Sequence, residues 1–192
     1  IETILGSDAN FKKGINILDL CTGSGCVGLT IAAELGEKVS SIVLSDISPL
    51  ALKIAQANSM KLKYSLSKDL VIKVVQSDLY QNINSLFDVI VCNPPYIKKK
   101  KHANLVHSQV LGHEPRIALF LEDERYDQFF DDLFIGSRKN LKEFGVFMME
   151  GHEDELFSLA DRWKKSYKVD EVEVINDLTN RPRFLKVIKG SL

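Results

Sequence analysis

The sequence predicts an α/β domain built on a doubly wound, mostly parallel sheet. Three observations carry this. Strand-like apolar runs alternate with segments of helical period from residue 15 onward. A glycine-rich turn joins the first strand to the first helix. The fourth strand, FDVIVC at 87–92, is mostly apolar, as expected of a strand covered by helices on both faces of a parallel sheet. A β-α-β-α-β order of this kind winds into such a sheet.

Taken in order, residues 15–20 (INILDL) form the first strand, which breaks at Gly23 and Gly25 before a helix over 27–35. Residues 41–46 (SIVLSD) are the second strand. Pro49 suits the first turn of a helix, which continues over 50–62. The third strand covers 70–75 and the fourth 87–92. Residues 97–115 lack a clear period and read as a long loop with a helical piece; a loop that long inside a compact domain is usually functional. An amphipathic helix over 126–141, a fifth strand at 145–150 (GVFMME) and a helix over 153–165 follow. Residues 169–175 and 183–188 close the sheet as an antiparallel hairpin, making seven strands. The whole chain, 1–192, reads as one domain.

Composition excludes several classes. Hydrophobic residues at 45% and charged residues at 27% suit a packed globular core. A net charge of -1 gives no global basic field to draw nucleic acid or a membrane, so direct nucleic-acid binding is not expected. No apolar run approaches the ~20 residues that span a bilayer, and no signal peptide is evident. Cys21, Cys26 and Cys92 are odd in number, form no CxxC pair and lie in or beside apolar runs. They read as free thiols of a reducing, cytoplasmic protein. His102, His107, His113 and His152 show neither HxxxH nor HExxH spacing, so no metal site is expected. The chain opens at Ile1 rather than Met and reads as a piece of something longer. A monomer is the default expectation.

Residues 19–28 run Asp-Leu-Cys-Thr-Gly-Ser-Gly-Cys-Val-Gly. Gly23, Gly25 and Gly28 match G-x-G-x-x-G between a strand and a helix, and Asp46 ends the next strand. That is the arrangement in which an adenosine cofactor approaches a glycine loop while a carboxylate accepts from both ribose hydroxyls. Asp19 discriminates among such cofactors. A carboxylate beside the middle of the ligand repels a pyrophosphate and attracts the sulfonium and ammonium of S-adenosylmethionine. The same carboxylate could instead cap backbone N–H groups of the loop. Ser77-Asp78-Leu79 follow the third strand, beside the nucleoside end of this topology. There Asp78 can accept from an adenine amino group and Leu79 can pack on the ring; a plain turn aspartate fits the pattern equally well.

The fourth strand runs into Asn93-Pro94-Pro95-Tyr96. Two prolines end the ladder and stiffen the turn, holding the Asn93 amide and the Pro94 carbonyl at the ligand-binding end of the sheet. An amide or aryl amine nitrogen is a poor nucleophile because its lone pair is delocalised. Two acceptors, the Asn93 side-chain oxygen and the Pro94 backbone oxygen, can each take one N–H of an NH2 group. Those bonds strengthen as the nitrogen pyramidalises toward an electrophilic methyl. Tyr96 offers a ring against a flat acceptor. Catalytic positions are therefore Asn93, Pro94 and Tyr96.

With these residues in place the chain resembles the Rossmann-like class I methyltransferases carrying [N/D/S]-P-P-[Y/F/W]. Within them it resembles the HemK-type peptide chain release factor glutamine methyltransferases. The likeness rests on DLCTGSG, the run Asp46-Ile47-Ser48-Pro49-Leu50-Ala51-Leu52, NPPYI, Glu114-Pro115 with Ala118-Leu119, and Glu150-Gly151-His152. It implies a seven-stranded sheet with helices on both faces and S-adenosyl-L-methionine as cofactor, S-adenosyl-L-homocysteine being the product. It also implies methylation of the glutamine amide in the Gly-Gly-Gln motif of class I release factors. Asp19, Gly23 and Gly25 would face the methionine part, with Thr22 beside them. Asp46 would face the ribose with Ile47 beside it, Ser77, Asp78 and Leu79 the nucleoside, and Asn93 both cofactor and acceptor. Family members carry a helical N-terminal domain that this sequence lacks, and Ile1-Glu2-Thr3 resembles the end of the family's upstream Arg-Pro-Glu-Thr-Glu segment. Cys21 stands where a loop glycine is common, and Phe120-Leu121-Glu122-Asp123 where a glycine pair is frequent.

Lys98, Lys99, Lys100 and Lys101 leave rivals open. A lysine run is a solvated loop, a contact to an acidic protein partner, or a contact to phosphates. The last would suit an adenine-N6 or guanine-N2 nucleic-acid methyltransferase. A non-catalytic S-adenosylmethionine-binding regulator is the remaining alternative, and the intact Asn93-Pro94-Pro95-Tyr96 argues against it.

Overall fold

A computed structural model of the chain describes residues 13–63, 65–102, 112, 114–167 and 171–190. The strands are β1 (Ile15–Leu20), β2 (Val39–Asp46), β3 (Val71–Gln76), β4 (Phe87–Cys92), β5 (Ile97–Lys98), β6 (Phe120–Leu121), β7 (Leu141–Glu150), β8 (Glu171–Asn176) and β9 (Pro182–Ile188). The α-helices are α1 (Cys26–Leu35), α2 (Pro49–Leu62), α3 (Arg116–Leu119), α4 (Tyr126–Asn140) and α5 (Glu153–Tyr167). Seven strands form one sheet in the order β3-β2-β1-β4-β7-β9-β8. The first five of that order pair in parallel, and β9 pairs antiparallel with both β7 and β8.

Both faces of the sheet are buried, which is why β1 and β4 are apolar almost throughout. On one face Phe130, Leu133 and Phe134 of α4 and Leu156, Leu159 and Trp163 of α5 pack against Leu18, Ile90 and Phe147. Trp163 stacks on Phe134 with ring centroids 4.4 Å apart, and its indole N–H donates to Asp131. On the other face Leu29, Ile31 and Ala32 of α1 and Ala55 of α2 cover Ile17, Ile42, Leu44 and Val89. Ser48 caps α2 by accepting the Ala51 N–H, with Pro49 in the first turn. Among the described residues no helix is long and apolar enough to cross a membrane.

The expected elements are present, with three instructive differences. The third strand is displaced by one residue. The helix expected over 126–141 ends at Asn140, and Leu141 already belongs to β7, four residues before the expected start. Charged Lys142 and Glu143 hide that start. In the fold Lys142 bonds Asp88 of the neighbouring strand at 2.7 Å, while Phe144 takes a left-handed φ of 59°.

The third difference is the segment read as a loop. Ile97 and Lys98 pair in parallel with Phe120 and Leu121. Residues 103–111 and 113 lie outside the described residues, as do 169 and 170 of the expected hairpin; within the segment residue 112 is helical, and α3 begins just beyond it.

This small ladder accounts for the lysine run. Lys98 and Lys101 both bond Glu155, at 2.8 and 2.7 Å. Lys99 pairs with Glu122 and Lys100 with Glu124. The Asp123 carboxylate accepts the Lys100 and Lys101 backbone N–H groups. The stretch that lacks the glycine pair is thus the acidic counterpart of the lysines. Lys98 also lies 4.4 Å above the Tyr126 ring. Burial works against charge on Glu155, but Lys101 and Lys98 outweigh it and hold the carboxyl below its ordinary range.

Glu155 is 11% exposed in its side chain and Lys98 17%, so removing the carboxylate leaves a nearly buried cation. Glu155→Ala should cost about 3 kcal/mol in urea unfolding. Lys99→Ala, which breaks a half-exposed pair, should stay within about 1 kcal/mol.

Candidate functional site

The site lies at the carboxyl ends of β1, β2 and β4, where each strand hands over to a loop. After β1, Cys21 takes φ 56°, Gly23 φ 55° and Gly25 φ 80°. This left-handed path reverses the chain into α1, and Cys21 occupies a conformation that glycine adopts at no cost. The Cys21 side chain packs against Tyr80 and Cys92 in the core rather than into the loop's open side. A Cβ on Gly23 would meet nothing within 4 Å, so that side of the loop is open to a ligand.

Asp19 lies beneath the loop, 2% exposed. Its Oδ2 accepts the Thr22 hydroxyl at 2.6 Å and the Gly28 N–H at 2.9 Å. The capping role is therefore real. It does not fully compensate the charge: burial, with Asp46 adding to it, pushes the carboxyl up to about 6 against those two hydrogen bonds. A nearly buried carboxylate that pairs with no cation among the described residues, beside an open glycine loop, suits a cationic ligand. Gly28 makes the arrangement possible. A Cβ there would lie 2.7 Å from Ile42 Cδ1 and 2.8 Å from Asp19 Cβ, so only glycine lets α1 approach β1 and β2 closely enough for its N–H to reach Asp19.

Asp46, half-buried at the end of β2, accepts the Gly23 N–H through Oδ2 and the Ser48 N–H through Oδ1, both at 2.9 Å. It therefore ties the glycine loop to the start of α2, and each oxygen retains acceptor capacity for a ribose hydroxyl. Ile47 is 48% exposed beside it. Ser77 is nearly buried, and its hydroxyl serves its own loop, donating to the Leu79 carbonyl and accepting the Asn82 N–H. Its role among these residues is to shape the turn. Leu79 takes φ 44° and packs against the core. Asp78 is exposed, with one long contact to Gln81 at 3.4 Å.

β4 delivers Asn93 beside this loop: Leu20 and Cys92 are register partners in adjacent parallel strands. Asn93 is exposed, and its carboxamide has no hydrogen-bond partner among the described residues, whereas Pro94 is buried. Tyr96 closes the turn by donating its hydroxyl to Glu150 Oε1 at 2.7 Å, with Arg183 3.8 Å from the same oxygen. Burial, then Glu150, push the Tyr96 hydroxyl well above its ordinary range despite Arg183, so it remains a donor. A cavity of about 80 Å³ opens here, lined by Val27, Val91, Asn93, Met148, Glu150 and Phe184 among others.

The fold therefore brings together Asp19, Thr22, Gly23, Gly25, Asp46, Asn93, Pro94 and Tyr96. Glu150, Arg183 and Phe184 were absent from the sequence-derived site. Glu150 carried a signal, as an acidic residue ending an apolar strand. Phe184 and Arg183 carried none, because β9 reaches the site only through the antiparallel hairpin.

The sheet order, the glycine loop and the acidic end of β2 together define a Rossmann-like class I methyltransferase fold. The chain belongs to the methyltransferase small domain family, whose model matches residues 4–117. It is 35% identical over 96% of its length to a release factor glutamine methyltransferase of Leptospira interrogans, and spans 62% of that relative. It is 35% identical over 70% of its length to a ribosomal protein uL3 glutamine methyltransferase of Francisella tularensis, spanning 40% of it. In fold it matches TrmN from Thermus thermophilus with a TM-score of 0.65 at 18% identity, over 98% of this chain and 47% of that one.

Two outcomes follow from Asp19 and Gly28. Asp19 is ionised above its pKa of about 6 and neutral below it. Affinity for S-adenosylmethionine, measured by calorimetry, should therefore be highest at pH 7–8 and fall as pH drops through 6; a flat profile would separate Asp19 from the ligand's charge. Gly28→Ala should lower stability by about 1–3 kcal/mol through overpacking, read from the urea midpoint, and weaken cofactor binding with it.

Proposed function

We propose that this chain is the catalytic domain of a cytoplasmic, monomeric, S-adenosylmethionine-dependent protein-glutamine N-methyltransferase. Its acceptor is the side-chain amide of the glutamine in the Gly-Gly-Gln motif of a class I peptide chain release factor. The observation that carries the reading is the exposed Asn93 carboxamide, uncommitted among the described residues, on a proline-stiffened strand end beside a small cavity. The name of the Leptospira relative supports the release factor, and that of the Francisella relative supports a glutamine amide as the chemical target. The helical N-terminal domain expected of the family would serve to hold the protein substrate.

The site fits the cofactor. Asp19 offers a poorly compensated carboxylate, the Gly23 side of the loop is open, and Asp46 keeps acceptor capacity. S-adenosylmethionine, when bound, supplies an electrophilic methyl group. Asp19 would hold its cationic end and Asp46 its ribose. The Asn93 side-chain oxygen and the Pro94 carbonyl each accept one N–H of the acceptor amide. They fix its plane and favour the pyramidal nitrogen of the transition state. Tyr96, anchored on Glu150, keeps the turn rigid and presents its ring to the flat amide. No residue has to take a proton before attack. The pairing of all four lysines with carboxylates leaves no free basic run for phosphates, which counts against the nucleic-acid reading.

The test is transfer of labelled methyl to unmodified release factor, to uL3 and to RNA and DNA substrates, with sites located by peptide mass spectrometry. Label is expected on the Gly-Gly-Gln glutamine. Asn93→Ala should reduce it about a hundredfold or more, with cofactor affinity changed only a few-fold. Label on uL3 alone would move the acceptor, and label on nucleic acid would overturn the reading. Tight cofactor binding by the full-length protein without transfer to any of them would make it a regulator.

A further inference from the structure

Folding assembles what the spacing of the histidines along the chain does not suggest. His102, at the end of the lysine segment, and His152, between β7 and α5, stack with ring centroids 3.9 Å apart and planes 4° from parallel. Asp154 Oδ2 lies 3.8 Å from His102 Nε2 and 3.9 Å from His152 Nδ1. Glu155 Oε1 is 3.8 Å from His102 Nε2. One ligand atom from each of His102, His152 and Asp154 falls within 4.8 Å of the others.

His102 is the anomaly. It is 2% exposed, and among the described residues neither ring nitrogen has a hydrogen-bond partner. A buried imidazole with donor and acceptor both unmet bears the desolvation cost of each, and an ion or a water is the ordinary explanation for such a group. Burial, with His152 and Lys101, lowers its pKa against the pull of Glu155 and Asp154.

We propose that His102, His152 and Asp154 form a binding site for a divalent transition metal of the zinc type. Two imidazoles and a carboxylate are the donors that suit Zn2+, leaving a fourth position for water. His152 Nδ1 accepts the Asp154 backbone N–H at 3.3 Å, so the bound state turns the His152 ring out of the stack to offer a nitrogen. No described residue bonds the His102 nitrogens, and the Asp154 side chain is more than half exposed and has room to move. Glu155 is committed to Lys98 and Lys101 and stays outside the donor set. The site joins the segment after Asn93-Pro94-Pro95-Tyr96 to the start of α5. Its role there is to brace that junction, with no part in the chemistry at Asn93.

The experiment uses the full-length protein without a polyhistidine tag, stripped by chelator and titrated with Co2+ and then Zn2+. One equivalent of Co2+ should give saturable visible absorption that Zn2+ abolishes, and Zn2+ should raise the melting temperature. His152→Asn and Asp154→Asn, at less buried positions than His102, should each weaken binding about tenfold or more. A double His107→Asn, His113→Asn variant should bind as the parent does. Absence of saturable Co2+ binding would overturn the proposal. So would binding that survives both His152→Asn and Asp154→Asn, which would place the ion elsewhere.

Discussion

The site depends on one buried carboxylate. Asp19 sits under the glycine loop at 2% exposure, and its Oδ2 ties the loop to the helix that follows it. The Thr22 hydroxyl is the loop, and the Gly28 N–H is the first turn of α1. Asp46 repeats the device one strand away, linking the Gly23 and Ser48 N–H groups. Each acid serves the fold by accepting backbone donors, and each retains oxygen capacity for a ligand. Burial makes charge on Asp19 costly.

Much of this was legible in the sequence, for a physical reason. The determinants of the glycine loop are local: a carboxylate, three glycines and a second carboxylate at the end of the next strand. Parallel register then fixes where Asp46 falls relative to Asp19. Asn93 was legible because two prolines after an apolar strand admit few interpretations. Cys21 was legible as a departure from glycine, and its φ of 56° shows why glycine suits that position.

The rest depended on pairings between distant segments. Glu150 and Arg183 meet Tyr96 only because β7 and β9 are neighbours. The lysine run read as a solvated or ligand-binding stretch because its carboxylates, at 122–124 and 155, are remote in sequence. The same remoteness concealed the stacked histidines. At Ser77 the sequence shows a polar residue after β3, and only the fold shows that its hydroxyl is used within the turn that displays Asp78.

The strand order has a consequence for how the molecule is made. β9 follows β8 in the chain yet lies between β7 and β8 in the sheet, so β8 is joined to the rest of the sheet through β9. Phe184 and Arg183 arrive with that strand. During synthesis, a chain that has emerged only through β7 already carries the glycine loop and Asn93, but Phe184 of the cavity lining is missing. Non-local pairings of this kind form slowly. The lining of the cavity is therefore completed late in folding, by the strand that emerges last.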